Sequence, residues 1–265
     1  VVGDSVTAGT GVYEVPLHGY AFVQAAPVST YMEERFKQTG LGAIKGIDRG
    51  APNTGISTAN HPSYFATGQY AQLLADQCRW TLIMPWVNDI TSADSPTAAA
   101  QKHVRVLADL VRTVVANNPY GRVIVLNYWP GVVSPFAART WASGYTPNDI
   151  DIYNRAIRES CTAGSLSSLP QVVCVNAQEL FIDMGEGHVI RYTGRDELYA
   201  LMIEPPSDNA QAILNAFFNS NPGGQVLGDG VHLSPAGKTR LAEFVVTTIQ
   251  QLPPLVSLTP NAPTG

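Results

Sequence analysis

Five short runs of apolar and β-branched residues, each followed by a stretch with helical patterning, limit what this chain can fold into. The runs are VVGD at 1–4, AIKGID at 43–48, TLIMPW at 81–86, RVIVLNYW at 122–129 and QVVCVNA at 171–177. Between them lie amphipathic segments. The clearest is 97–118, where Val104, Leu107, Val111, Val114 and Val115 recur at helical spacing. Strand and helix in alternation imply a parallel sheet, because parallel neighbours must be joined by long crossovers, and those crossovers are right-handed helices packed on the sheet faces. The first run is short, with only Val1 and Val2 before Gly3, where ordinary strands have about five or six residues. This suggests a natural chain that begins further upstream.

A chain of 265 residues with 45% hydrophobic content can bury one large core. Residues 1–252 are therefore expected to form a single domain, and 253–265, PPLVSLTPNAPTG, to be a Pro-rich tail or linker with room for an additional module beyond it. Ser234 and Pro235 open a final helix, SPAGKTRLAEFVVTTIQQL, as N-cap and first helical residue. Two long connections remain, 130–150 and 185–228, the second containing a helical segment around SDNAQAILNAFF.

Charged residues make up 14% of the chain, the formal net charge is -5, and Lys and Arg form no run. Nucleic acid and anionic membranes are bound through clustered positive charge, so neither is expected as a partner. No apolar stretch approaches the ~20 residues of a membrane span, and no charged-then-apolar leader precedes Val1. A soluble, secreted protein whose signal peptide has been removed is the expectation. The three cysteines, Cys78, Cys161 and Cys174, are too few for a disulfide scaffold and lack zinc-site spacing. Cys174, inside an apolar run, reads as a buried strand residue, and free thiols are favoured over a Cys161–Cys174 bridge.

In open parallel sheets ligands bind beyond the carboxyl ends of the strands, and the informative motifs fall there. The opening GDSVTAGTG could cradle a phosphate, present a nucleophile or merely reverse the chain. The phosphate reading lacks GxxxxGK, and GTGVYE does not complete G-x-G-x-x-G. A nucleophilic Ser5 would need a base. His232 in GDGVHLSPAG is the best placed, with Asp229 three residues before it to orient the ring. Oxyanion donors would be the backbone N–H groups of Ser5 and of Gly50 in DRGAPNTG, with Gly55 as rival, and the side-chain amide of Asn88 in PWVNDI. Each piece alone has a plain structural explanation: a serine in a glycine turn, a helix-capping loop with a satisfied histidine, an Asn-Asp turn. Their joint placement, after the first strand and before the last helix, favours catalysis. No G-x-S-x-G elbow is present, which disfavours the α/β-hydrolase alternative.

GDSVT, a glycine in RGAPNTG, VND and DGVH together resemble, in order, the four blocks of the SGNH hydrolases, the GDSL-type esterases and lipases. The resemblance spans Gly3 to His232. It implies a three-layer α/β/α sandwich of flavodoxin-like type with five parallel strands, and a serine ester hydrolase working through an acyl-enzyme. By position it makes Ser5 the nucleophile, His232 the base and acid, Asp229 its orienter, and Ser5, Gly50 and Asn88 the oxyanion hole. Short-chain acyl or acetyl esters, acetylated carbohydrate among them, are the expected substrates; the alternative is a non-catalytic carbohydrate- or nucleotide-binding module on the same fold. No metal or cofactor is called for.

The third block departs from the family's Gly-x-Asn-Asp by carrying Trp86. That indole either narrows the acyl site or turns into the core; with Val87 and Asn53 it is a candidate substrate contact. Asp4 is expected to hold its loop by accepting backbone N–H groups rather than to catalyse. His18, His61, His103 and His188 have no partnered motif and read as surface or core residues. Trp129, Phe136, Trp141 and Tyr145 either stack on a sugar or acyl chain or pin down the long connection they occupy.

Overall fold

A computed structural model describes residues 1–15, 19–24, 26–90, 95–128, 147–178, 215–216, 219–221, 227–228, 232–233 and 235–253. In chain order its elements are β1 (Val2–Gly3), β2 (Thr10–Val15), β3 (Gly19–Gln24), α1 (Val28–Gln38), β4 (Arg49–Gly50), α2 (Gly68–Ala75), β5 (Trp80–Ile83), α3 (Pro96–Asn117), β6 (Arg122–Leu126), α4 (Pro147–Ala163), β7 (Val172–Val175), β8 (Leu227–Gly228) and α5 (Pro235–Gln251). Single 3-10 turns occupy Tyr64–Ala66 and Val87–Asp89.

Five strands form one parallel sheet in the order β4-β1-β5-β6-β7. Helices α1 and α5 pack together, as do α3 with α4 and α2 with α3, so helical layers cover the sheet as the strand and helix alternation requires. Every residue of β6, RVIVL, is buried, which is the reason its sequence is a continuous apolar run rather than an alternating one. Helix α3 starts where Ser95 accepts the Ala98 N–H and Pro96 takes the first helical position. Its buried face, which includes Ala100, His103, Leu107, Val111 and Val114, repeats at helical spacing.

Two parts of the sheet differ from expectation. The second strand is not 43–48 but the two residues Arg49 and Gly50. Polar groups along 43–48 are engaged elsewhere: the Val1 amino group donates to Ile47 O at 2.7 Å, and the Gly46 N–H donates to the Glu33 carboxylate at 2.9 Å. The short central β1 is extended by single ladder bonds on both flanks, Arg49 N–H to Val1 O, Ala51 N–H to Gly3 O and Met84 N–H to Val2 O. A second, antiparallel sheet was not anticipated. Its order is β3-β2-β8, with Tyr13 opposite Gly228 and Glu14 opposite Leu227.

Cys161 and Cys174 are bridged, with Cα atoms 6.1 Å apart, contrary to the expectation of free thiols. Consecutive elements α4 and β7 bring them together: Cys161 lies in the last turn of α4 and Cys174 on β7, which among the described residues is an edge strand paired with β6. Cys174 is exposed rather than buried, because an edge strand need not be covered on every side. Cys78 is free.

Candidate active site

Ser5 stands in the turn that follows β1, at the carboxyl edge of the sheet. The turn is closed by Ala8 N–H to Asp4 O at 3.1 Å and Thr10 N–H to Ser5 O at 2.9 Å. His232 lies three residues before α5 begins. The two side chains meet: Ser5 Oγ and His232 Nε2 are 2.9 Å apart, and both residues are buried. That distance lies within proton-transfer reach. Asp229, the expected orienter, lies outside the described residues, as does Ser234.

Asp4 is buried beneath this pair. Its carboxylate accepts the Val6 N–H at 3.1 Å and the Val87 N–H at 2.8 Å, the loop-holding role expected of it. Burial raises its pKa to about 6, against the opposing pull of the His232 charge and of the two N–H bonds.

Asn88 sits in the Val87–Asp89 turn at the end of β5, half-buried, and donates one amide hydrogen of Nδ2 to Thr54 O at 2.9 Å. An amide nitrogen carries two hydrogens, so a second remains for a ligand. The Ser5 N–H has no acceptor among the described residues. Gly50 differs from expectation. Its N–H is already committed to Asp48 Oδ1 at 2.8 Å, because Asp48, two residues upstream, folds its side chain back onto it. Gly50 is instead required sterically, since a Cβ there would lie 2.6 Å from Ala8 N. The rival Gly55 is also engaged, its N–H donating to Pro62 O at 3.1 Å.

Among the candidate substrate contacts, Trp86 and Val87 are buried in the core. The Trp86 ring packs edge-on against Tyr64 at 5.1 Å between centroids, and its carbonyl accepts the Tyr128 hydroxyl at 2.8 Å. Of the two readings of this indole, the structure adopts the inward one: the side chain fills the space under the turn and does not line an acyl site. Asn53 is exposed, in the left-handed conformation at φ 59°, with Oδ1 2.9 Å from His61 Nδ1. His18, His188, Trp129, Phe136, Trp141 and Tyr145 lie outside the described residues.

Sequence reasoning missed one constellation. The Asp89 carboxylate is fully buried and accepts the N–H groups of Ile56, Ser57 and Thr58 as well as His103 Nδ1 at 3.0 Å. Burial pushes the Asp89 pKa up, but the His103 hydrogen bond and charge and the backbone donors outweigh it, and the carboxyl is held below its ordinary value. The available signal was the position of His103 on the apolar stripe of α3, one turn before Leu107.

Over residues 1–245 the sequence matches the GDSL-like lipase/acylhydrolase family. The chain belongs to that family. Membership makes it a carboxylic ester hydrolase. No curated protein matches the sequence. Among solved structures, the inhibitor-bound form of M. smegmatis aryl esterase is similar at TM-score 0.58 and 16% identity, covering 95% of this chain and 97% of that one. Clostridium thermocellum family 3 carbohydrate esterase is similar at 0.53 and 16%, covering 94% and 93%. Est24, a carbohydrate acetylesterase from Sinorhizobium meliloti, follows at 0.52 and 15%, covering 94% and 96%. At these identities the likeness establishes the fold, and the acylhydrolase shares it along nearly its whole length. No described helix is long and apolar enough to cross a membrane.

Proposed function

We propose that this acylhydrolase cleaves short-chain carboxylic esters, with acetylated carbohydrate as the substrate class, through an acyl-enzyme on Ser5. The observation that carries the reading is the 2.9 Å approach of Ser5 Oγ to His232 Nε2. His232 takes the hydroxyl proton as Oγ forms a bond to the ester carbonyl carbon. The carbonyl π electrons move onto oxygen, where the Ser5 N–H and the second Asn88 amide hydrogen receive the negative charge. Collapse breaks the bond to the alcohol oxygen, which leaves with the proton from His232. Water then attacks the acyl group by the same sequence, with His232 again as base, and releases the acid. Asp229 is assigned to Nδ1 of the ring, by its place three residues before His232. The acetyl-carbohydrate substrate is supported by the carbohydrate esterases among the fold relatives. An oxidising, extracellular setting is supported by the Cys161–Cys174 bridge.

The test is Ser5→Ala against wild type on p-nitrophenyl acetate, longer p-nitrophenyl esters and acetylated xylan, with a fluorophosphonate probe. Wild type is expected to label at Ser5 and to favour acetyl esters. The variant is expected to fold, to remain unlabelled and to turn over none of the substrates; undiminished turnover removes the mechanism. Efficient cleavage of a C12 ester removes the short-chain assignment alone.

A further inference from the structure

The turn that carries Asn88 is gripped from several sides by side chains from other segments. The Tyr128 hydroxyl donates to Trp86 O at 2.8 Å, and the Tyr153 hydroxyl donates to Asp89 O at 2.6 Å. Asp4 accepts the Val87 N–H. The fourth grip is His103 on the Asp89 carboxylate, which, as Asp4 does toward the 4–6 turn, ties the 87–89 turn to a second segment. Asp89 Oδ1 accepts the N–H groups of Ser57 and Thr58, both carboxylate oxygens share that of Ile56, and His103 Nδ1 lies against Oδ2. Two residues before Ile56, Thr54 O receives the Asn88 amide. The 87–89 turn and the 54–58 loop are thus fastened by two parallel links, one through Asn88 and one through Asp89, and His103 sets the rotation of the second.

We propose that His103 is a positioning residue for the acyl-transfer reaction: by fixing the Asp89 carboxylate it aims the Asn88 amide at the developing oxyanion. This rests on the oxyanion role assigned to Asn88 above. Packing alone does not account for a histidine here. The ring has no exposure, lies 5.5 Å from Tyr153 and 6.1 Å from Tyr128 between centroids, and leaves Nε2 buried without a hydrogen-bond partner among the described residues. An apolar ring would fill the same space without that buried orphan. What it could not do is donate to Asp89.

The experiment compares His103→Phe, His103→Asn, Asn88→Ala and the double variant H103F/N88A with wild type on p-nitrophenyl acetate, alongside thermal melting. Misaiming an oxyanion donor by a fraction of its bond length is expected to lower kcat by about 10- to 100-fold in H103F with KM within about twofold. His103→Asn, whose amide can donate from near the Nδ1 position, is expected to recover kcat to within about fivefold of wild type. In the double variant H103F is expected to cost little beyond N88A, since the amide it aims is gone. Wild-type kcat in H103F overturns the proposal. So does a loss that multiplies with that of N88A, or one that follows melting temperature and is not recovered by H103N. If H103F does not fold, His103→Leu, which likewise cannot donate, takes its place in the cycle under the same criteria. Ser5→Ala separates the two levels: if it is inert while H103F is unaffected, the positioning role falls and the acylhydrolase mechanism stands; if it is active, the mechanism itself falls.

Discussion

Asp4 Oδ2 accepts the Val87 N–H at 2.8 Å, joining the turn that presents Ser5 to the turn that presents Asn88 across 83 positions of sequence. The other oxygen holds the Val6 N–H, one residue beyond Ser5. A single buried carboxylate therefore ties the turn of the proposed nucleophile to that of one of the groups proposed to receive the resulting charge.

That carboxylate makes stability depend on pH. In the folded chain it keeps its proton up to about pH 6, because burial disfavours the charge, whereas the unfolded chain releases it near 3.8. Between these values the folded state binds more protons than the unfolded one, so the contribution of Asp4 is fully present at low pH and is lost as pH rises through 6. Urea unfolding of wild type and Asp4→Asn at pH 4, 5, 6 and 7 should show wild type losing about 2 kcal/mol relative to the variant over that range. A difference independent of pH would contradict it.

Asn88→Ala removes a proposed oxyanion donor and little bulk. Its kcat on p-nitrophenyl acetate should fall about 100- to 1000-fold, corresponding to about 3–4 kcal/mol, with KM nearly constant. A change confined to KM would place the amide in ground-state binding.

Gly50→Ala tests the steric role of that glycine. The new methyl would lie 2.6 Å from Ala8 N and 3.0 Å from Ala8 Cα, against backbone that cannot swing aside, while the N–H stays with Asp48. Overpacking of this kind costs about 1–3 kcal/mol. Melting temperature and kcat should fall together; an unchanged melting temperature would contradict the steric role.

The Cys161–Cys174 bridge closes a short loop at the sheet edge, with β5 and β6 between β7 and β1. Replacing both cysteines by serine should cost about 3 kcal/mol in denaturant unfolding and leave kcat on p-nitrophenyl acetate unchanged. A comparable loss of kcat would mean that the β7 edge communicates with Ser5.

Which of these features the sequence displays depends on where their energy comes from. Strand β6 and helix α3 are legible because burial on both faces writes a continuous apolar run and burial on one face writes a 3.6-residue repeat. Strand β4 leaves no such signature: it is two residues held by backbone ladder bonds, and the preceding 43–48, apolar enough to read as a strand, spends hydrogen bonds on a side chain and a chain terminus. Ser5, Asn88 and His232 stand out through residue type and order along the chain. The engagement of the Gly50 N–H does not, because it follows from the rotamer of Asp48. Nor does the pairing of His103 with Asp89, which joins an apolar helix stripe to a turn through tertiary packing. The inward turn of Trp86 likewise depends on Tyr64 being there to receive it.

The small sheet has a consequence for anyone who rebuilds this enzyme. Strand β2 starts five residues after Ser5, and its partner β8 ends four residues before His232. The two side chains proposed for catalysis thus hang from opposite sides of one seam. Loop grafting that exchanges residues 10–24 alone would cut that seam, so a transplant between scaffolds has to carry the hairpin and residues 227–228 as one cassette.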